Sequence, residues 1–308
     1  MFLFGFRSDG RRITNKDPIV GFTPYLMPQR VDAQVYTTVQ IDCDKLTNYI
    51  RGQREQGQVL SYMDLLIAAY VRAVSQHPQL NRFVMNKQLF ARNTICCSLA
   101  VLKTTANDDD VRETTIKVHF DPYDTVYDVR DRMREEIEKN RKEENRNTAD
   151  KYVRFLQAIP GLPTLFIGIV RLLDRYGLFP SSIVNISPFH TGAFIANMAS
   201  IGMPHINHHI YNFGTTSIFL AMGKALRNPV PGPNGTVTVK RALPIGLVLD
   251  ERITSGMEYG RALGFFNELI ANPERLEQPP EAVVYDIPPE KMGKKMRRYV
   301  KTGVKVEI

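Results

Sequence analysis

Apolar and polar residues alternate along the chain with two periods, one of two residues and one of a helical turn. The first period predicts strands over Val35 to Ile41, Gln88 to Ala91, Thr94 to Lys103 and Arg112 to Phe120. The second predicts helices over Lys45 to about Gln56, Tyr62 to Gln76 and about Thr125 to Asn145. Short polar side chains stand where N-caps are expected, at Asp42 or Asp44 and at Ser61.

The C-terminal half continues this alternation of strands and helices. Strands are predicted over Gly192 to Ala199, Thr215 to Lys224 and Leu243 to Leu249, with a proline- and glycine-rich hairpin tip at Pro229 to Gly235. A polar turn, Asp250 to Gly256, follows the last strand directly and leads into a helix over Met257 to Ala271 that Pro273 closes. Loops held between rigid elements in this way often carry function.

The strand, turn and helix around Asp250 resemble the catalytic domain of 2-oxoacid dehydrogenase acyltransferases and the related chloramphenicol acetyltransferases. These proteins carry DHRxxDG or HHxxxDG at this place, and Asp250, Arg252 and Gly256 match that motif. The histidine of the motif falls at Glu251, and its second aspartate falls at Ser255. The resemblance covers approximately residues 32 to 276, including the HPxLN sequence that begins at His77 and the strand Phe194 to Ala199.

The resemblance implies an α/β (α+β) fold of the chloramphenicol acetyltransferase type, a two-layer sandwich of helices packed on a large mixed sheet. It also implies a homotrimer with clefts between subunits, a coenzyme A thioester as co-substrate, no covalently bound cofactor and an acceptor that the sequence does not define. We expect one domain over residues 1–308, with an N-terminal arm (1–33) lacking long regular structure, a hydrophobic helical insertion (152–180) and a basic C-terminal tail (278–308).

In this family a histidine removes the proton from the attacking thiol or hydroxyl. The reference pKa of glutamate is ~4 units below that of a thiol, and the reference pKa of histidine is ~2 units below it. Proton removal by glutamate therefore has an activation free energy that is ~3 kcal/mol higher. We therefore expect Glu251 to act as a base only if burial raises its pKa. The alternative is a structural turn, in which Glu251, next to Arg252, holds the turn by ion pairing or hydrogen bonds and Ser255 caps the following helix.

Other polar residues near the motif are candidates for the same chemistry. Asn197 or Ser200 falls near the family's oxyanion-stabilising serine or threonine, which acts from a facing subunit. His205, His208 and His209 form a histidine-rich loop, with His190 nearby. The loop could supply a catalytic base in place of Glu251, two or three metal ligands, or structural hydrogen bonds; we predict no metal site.

The segment Tyr152 to Phe179 is unusually apolar and only sparsely charged. A core or subunit-interface hairpin, a membrane-surface element and a cover for an acyl chain are its three interpretations. The net charge of +8 includes a basic cluster between Lys291 and Lys305, which is either solvated or in contact with an anionic partner.

Composition and motifs also limit the cellular location and the binding partners that we expect for this protein. A hydrophobic content of 43% favours a globular chain, and Arg7 interrupts the apolar N-terminus before a secretory signal could form. Cys43, Cys96 and Cys97 have neither zinc-site nor disulfide-framework spacing, so we expect a cytoplasmic protein, with peripheral membrane attachment as a variant. The sequence has no phosphate-binding glycine motif and no nucleic-acid recognition motif. The rival to an acyltransferase is an inactive trimeric scaffold or ligand-binding protein.

Overall fold

The structure, a computed structural model, describes residues 7–14, 17–104, 111–142, 157–231 and 233–287. The last three residues of the helix predicted up to Asn145 and the basic cluster between Lys291 and Lys305 lie outside the described residues. So do the first five residues of the apolar segment, 152–156.

Ten strands and seven helices follow one another in the described part of the chain. The strands are β1 (Gly10–Arg12), β2 (Gln34–Asp42), β3 (Arg82–Met85), β4 (Gln88–Arg92), β5 (Ile95–Thr104), β6 (Val111–Phe120), β7 (Ala193–Asn197), β8 (Ile218–Met222), β9 (Leu226–Pro231) and β10 (Val237–Asp250). The helices are α1 (Pro18–Leu26), α2 (Cys43–Glu55), α3 (Tyr62–Gln76), α4 (Val126–Lys142), α5 (Leu162–Arg175), α6 (Ser181–Ile186) and α7 (Gly256–Ala271).

A seven-stranded mixed sheet runs through the molecule in the order β2-β10-β8-β7-β5-β6, and β9 pairs with the first half of β10. Strands β5, β7 and β8 are parallel neighbours, while the other pairings in this sheet are antiparallel. A separate three-stranded antiparallel sheet has the order β1-β4-β3. The predicted mixed sheet with packed helices is therefore confirmed.

Alternation along the strands divides the large sheet into an inner face under the helices and an outer face. Ile245 and Leu247 of β10 point into the main core with α3 and α7, whereas Gly246 and Val248 lie on the outer face. The two faces have separate apolar clusters, and the outer one is much smaller, built on Ala196, Ile210, Phe219, Ala221 and Val248. The outer face is therefore the side on which loops cover the sheet.

Local capping explains why the predicted helices form where they do. The Asp42 side chain accepts hydrogen bonds from the backbone N–H groups of Asp44 and Lys45 at the start of α2. Ser61 and Asp64 form a reciprocal capping box at the start of α3. The predicted bounds of α3 match the structure residue for residue, and those of α2 agree to within two residues.

The expectation of an N-terminal arm without long regular structure is wrong at α1, a nine-residue helix. Asp17 caps it and Pro18 occupies its first position, a start signal that the sequence already contains. Strand β3 was also not predicted. It forms a hairpin with β4 through Asn86 and Lys87, which adopt φ values of 50° and 58°.

The apolar segment forms α5 and the short helix α6, and the described part of it does not join the core. Val184 and Asp174 are buried, but most large apolar side chains of the two helices are exposed. The core interpretation is therefore wrong for the single chain, and the subunit-interface, membrane-surface and acyl-chain-cover interpretations remain. Among the described residues, no helix has both the length and the apolar character needed to cross a membrane.

Candidate functional site

The end of β10 is fixed by a buried cluster of charges around Asp250. Its carboxylate accepts two hydrogen bonds from Arg252, at 2.8 Å from Nε and 2.7 Å from Nη2, and lies 3.4 Å from Nε of Arg30. Tyr259 of α7 donates from its hydroxyl to the Asp250 carbonyl oxygen at 2.8 Å. These contacts tie strand, turn and helix together, so the turn has one defined shape.

The two arginines connect this cluster to more distant parts of the chain. Arg252 donates to the carbonyl oxygens of Met27 and Pro28, just after α1. Arg30 donates to the carbonyl oxygens of Tyr211 and Gly214, in the loop that crosses the outer face. Burial lowers the pKa of Arg30 to about 10, although Asp250 opposes the shift, so the side chain is still charged at neutral pH.

Glu251 lies on the opposite side of the turn and is exposed. Its backbone N–H donates to the carbonyl oxygen of Ala33 at 2.9 Å, while Arg252 turns inward to Asp250. Ion pairing of Glu251 with Arg252 is therefore wrong, because successive residues alternate in direction and Asp250 has the inward position. The hydrogen bond that Glu251 contributes to the turn comes from its backbone. The Glu251 carboxylate is available at the surface.

Ser255 occupies the N-cap of α7, where the family motif has aspartate. Its hydroxyl accepts from the backbone N–H of Glu258 at 3.4 Å. Gly256, the last motif residue, is the first residue of the helix. The predicted capping role of Ser255 is confirmed, which gives the serine a structural function.

The histidine-rich loop runs across the outer face of the sheet in close contact with two glycines. A Cβ atom at Gly223 would lie 2.1 Å from the backbone nitrogen of His205, and one at Gly246 would lie 2.2 Å from the carbonyl oxygen of Ile206. His205 Nε2 lies 3.3 Å from the Thr38 hydroxyl oxygen. Only glycine allows the loop to approach the strands this closely.

His208 and His209 belong to an aromatic cluster on the outer face. The His208 ring stacks on Phe219 at a centroid distance of 4.3 Å, and the two histidine rings are 4.6 Å apart. His208 Nδ1 lies 2.8 Å from the His209 carbonyl oxygen. Since β8 residue Phe219 pairs with Val248 of β10, His208 stands beside the same strand that ends at Asp250.

Asn197 and Ser200 lie at the other end of the sheet from Glu251. Asn197 pairs with Met222 at the end of β8, whereas Leu249, beside Asp250, pairs with Ile218 at its beginning. Four residue steps at about 3.3 Å each separate the two ends by ~13 Å. Within one chain, the predicted oxyanion donors and Glu251 therefore do not converge on one reacting atom.

Asn197 and Ser200 also form hydrogen bonds with each other in a local turn. The Asn197 side-chain oxygen accepts from the backbone N–H of Ser200 at 3.2 Å, and the Ser200 hydroxyl donates to the Asn197 carbonyl oxygen at 2.6 Å. Because the amide oxygen is used as an acceptor, the NH₂ group of Asn197 is the end of the side chain that can donate outward.

A cavity that the sequence analysis missed lies on the outer face at the other edge of the sheet. It has a volume of about 650 Å³, reaches around the edge strand β6 to α4, and is also bordered by β5, α6 and the Ser8–Asp9 segment. Lys117 of β6 donates to the carbonyl oxygens of Val184 and His190. The sequence signal for this cavity is the set of polar residues Thr115, Lys117 and His119, which alternate along β6.

The cavity wall has unusual electrostatics. Burial lowers the pKa of Lys117. Burial by itself would raise the pKa of the Cys96 thiol, but the positive charges of Lys117 and Arg92 hold it below its usual range. Among the described residues, no group of three or more histidine, cysteine, aspartate or glutamate side chains is arranged to hold a metal ion.

Comparison with known proteins identifies the class of protein to which this fold corresponds. A family model described as 2-oxoacid dehydrogenases acyltransferase (catalytic domain) matches residues 27–105. That match extends from the end of α1 to β5 and does not reach the turn at Asp250. The resemblance inferred from the motifs is thus confirmed by a part of the chain that is distant in sequence from the turn. None of the curated proteins compared matches the chain.

Solved structures of this class share the fold at low sequence identity. The cubic core of the pyruvate dehydrogenase multienzyme complex superposes with a TM-score of 0.54 and 14% identity, over 86% of this chain and 94% of that one. A probable dihydrolipoamide acetyltransferase from Listeria monocytogenes 4b F2365 gives 0.49 and 16%, over 88% and 99%. A chloramphenicol acetyltransferase gives 0.41 and 12%, over 85% and 98%. The superposition on the pyruvate dehydrogenase core shows that the chain has the fold of that acyltransferase core.

Proposed function

We propose that this protein is a coenzyme A-dependent acyltransferase with a divergent active site between two subunits of a homotrimer. The acyltransferase fold and the family match over residues 27–105 support the class of reaction. The rigid turn at the end of β10 supports the location of the active site, because the buried Asp250 cluster fixes the position of Glu251 at the surface. The acyl donor is a coenzyme A thioester, and the acceptor is a thiol or a hydroxyl.

The observation that carries the proposal is the separation of Glu251 from Asn197 across the sheet. The pairings of β8 with β7 and β10 keep the two side chains ~13 Å or more apart within one chain. Acyl transfer needs a base and an oxyanion donor around the same carbonyl group. An active site that uses both residues must therefore take them from two copies of the chain.

Each residue has a defined role in this proposal. Glu251 removes the proton from the acceptor, and the NH₂ group of Asn197 from the neighbouring copy donates to the oxyanion. Ser200 holds Asn197 in place through its two hydrogen bonds. His208 and His209 are the alternative bases, since they stand beside β10 on the outer face.

Exposed apolar side chains around Glu251 support a subunit interface at this place. We define the Glu251 rim as Leu26, Val31, Val35, Tyr36 and Met257, all of them exposed in the single chain. Val31 and Val35 flank Ala33, whose carbonyl oxygen accepts from the backbone of Glu251. Contiguous exposed apolar residues mark interaction surfaces. A neighbouring subunit on the rim would bury the Glu251 carboxylate in the cleft between the two copies.

Mass spectrometry of acyl-acceptor products tests the proposed reaction. The purified protein is incubated with a panel of acyl-coenzyme A thioesters and small thiol or alcohol acceptors, in parallel with Glu251→Gln and a His208→Ala/His209→Ala double variant. Turnover that Glu251→Gln abolishes and the double variant retains identifies the glutamate as the base. The reverse pattern identifies the histidines, and a wild-type protein without turnover would contradict the proposal in favour of an inactive scaffold.

A further inference from the structure

Helix α5 carries an exposed apolar stripe on one side. Leu165, Phe166, Ile169 and Leu172, which we name the α5 stripe, are 62%, 46%, 48% and 53% exposed. Spacings of one, four and seven residues place these four side chains along one side of a helix. Hydrophobic side chains exposed together in this way mark a binding surface for an apolar partner.

The exposed surface continues beyond the helix. Ile159 lies before α5, and Leu178, Ile183 and Ile186 follow it, each with between 43% and 77% of the side-chain surface exposed. The exposed charges in the same segment are few and of one sign. Between residues 157 and 187 the charged residues are Arg171, Asp174 and Arg175, and Asp174 is only 2% exposed. The exposed charges that border the apolar surface are therefore the two arginines.

The C-terminal end of α5 is held rigidly to the rest of the molecule. Arg7 donates to Asp174 Oδ1 at 2.8 Å, and His190 Nε2 lies 3.2 Å from Asp174 Oδ2. Arg7 is in turn paired with Asp9 at 2.8 Å. This buried cluster includes Asp174, the only acidic side chain between residues 157 and 187. It fixes the orientation of the helix, so that the α5 stripe points away from the core.

We propose that α5 binds in the plane of an anionic lipid bilayer, with the α5 stripe in the acyl-chain boundary and Arg171 and Arg175 at the phosphate groups. Fourteen residues at about 1.5 Å each give a helix of ~21 Å, too short to span the ~30 Å hydrocarbon layer but sufficient to lie on it. An exposed apolar surface whose exposed charges, within residues 157–187, are both cationic is the pattern of interfacial helices, in which arginine side chains extend to the headgroups. The proposal is independent of the acyltransferase activity.

Vesicle co-sedimentation of the full chain tests this assignment. Wild-type protein is mixed with vesicles of phosphatidylcholine alone or with about one third phosphatidylglycerol, whose negative surface attracts exposed arginines. We expect binding to the anionic vesicles at least tenfold tighter than to the neutral ones, and we expect added salt to weaken it. Leu165→Ser/Leu172→Ser should reduce the binding at least tenfold, and Arg171→Gln/Arg175→Gln should remove the preference for anionic lipid.

The matched control is Val237→Ser/Val239→Ser. These two valines are 70% and 65% exposed on β10 but lie outside the α5 surface, so this variant should bind vesicles like the wild type. Absence of wild-type binding to anionic vesicles, or equal losses in the α5 variant and the control, would overturn the proposal. A lipid-free change of mass in analytical ultracentrifugation that is confined to the α5 variant would also overturn it, because the surface would then belong to a second copy of the chain.

Discussion

Asp250 and Arg252 form a buried bidentate ion pair, in which Arg252 Nε lies 2.8 Å from Oδ1 and Nη2 lies 2.7 Å from Oδ2 of the Asp250 carboxylate. Glu251, between them in sequence, is exposed, and its backbone N–H donates a hydrogen bond to the carbonyl oxygen of Ala33. The turn thus separates two functions. Asp250 holds the structure, while the Glu251 carboxylate can be changed without disturbing the buried cluster.

The first prediction concerns this separation. Asp250→Ala leaves Arg30 and Arg252 buried without their shared anion, and breaking a buried ion pair costs about 3–5 kcal/mol of unfolding free energy. Glu251→Ala, one residue away, should change the unfolding free energy by less than about 0.5 kcal/mol because its side chain is at the surface. Urea denaturation of both variants measures the difference. Equal losses of unfolding free energy in the two variants would contradict the structural role of Asp250 and the peripheral role of the Glu251 side chain.

The second prediction concerns the base. If Glu251 removes the acceptor proton, Glu251→His restores the imidazole of the family motif and should increase thiol acylation roughly a hundredfold, corresponding to ~3 kcal/mol. Glu251→Gln has the same shape but cannot accept the proton, so it should lose turnover. Steady-state rates of the three proteins with one acyl donor decide the matter. A glutamine variant as active as the wild type would exclude the carboxylate.

The third prediction concerns the start of α7. Ser255→Ala removes the hydroxyl that accepts from the Glu258 N–H and should cost about 1 kcal/mol of unfolding free energy. Ser255→Asp keeps a capping oxygen, restores the family residue and adds a negative charge at the helix N-terminus, so it should be at least as stable as the wild type. Thermal unfolding of both variants tests this, and an aspartate variant as unstable as the alanine variant would contradict the capping role.

The fourth prediction concerns the loop on the outer face. Gly246→Ala places a methyl group 2.2 Å from the Ile206 carbonyl oxygen, so the loop or the strand must move, at a cost of about 1–3 kcal/mol. Gly260→Ala is the control, because open space surrounds that position in α7 and alanine favours helix, which should add up to about 1 kcal/mol. Chemical denaturation of the pair should therefore give opposite signs. A neutral Gly246→Ala would mean that the loop does not rest on β10.

The fifth prediction concerns acid. Burial alone would raise the pKa of Asp174, but the hydrogen bond with His190 and the charge of Arg7 hold it below its usual range. A carboxyl group with a depressed folded pKa stabilises the fold above its unfolded pKa of ~3.9 and loses that contribution as the pH falls through the folded pKa. Asp174→Asn should be less stable at neutral pH and lose less stability on acidification. Unfolding free energies measured from neutral pH downward test this, and parallel curves would contradict it.

Most of the regular structure of this protein follows from local signals. Helix α3 begins at the Ser61–Asp64 capping box, and its length was fixed by the apolar period and by Pro78. The hairpin through Asn86 and Lys87 was missed because neither residue is the glycine that such turns usually show. Helix α1 was missed although Asp17 and Pro18 are typical of a helix start.

The candidate site was less predictable because it depends on contacts between distant segments. Sequence alone placed Glu251 beside Arg252 but could not show that Arg252 turns to Asp250 and connects to Met27 and Pro28. It also could not show that Asn197 and Glu251 lie at opposite ends of β8, since that separation follows from strand order. The cavity beside Lys117 is likewise built from segments far apart in sequence.

The most direct test of the shared active site is complementation between two inactive variants. Glu251→Gln and Asn197→Ala, each with a different affinity tag, are co-expressed and purified through both tags, so that every trimer contains both chains. In a cyclic trimer about one interface in three then has an intact Glu251 facing an intact Asn197. The account predicts about one third of wild-type turnover from the mixed trimer and at least a hundredfold less from each variant alone. A mixed trimer that is as inactive as its parents, or a wild-type protein that sediments as a monomer, would contradict it.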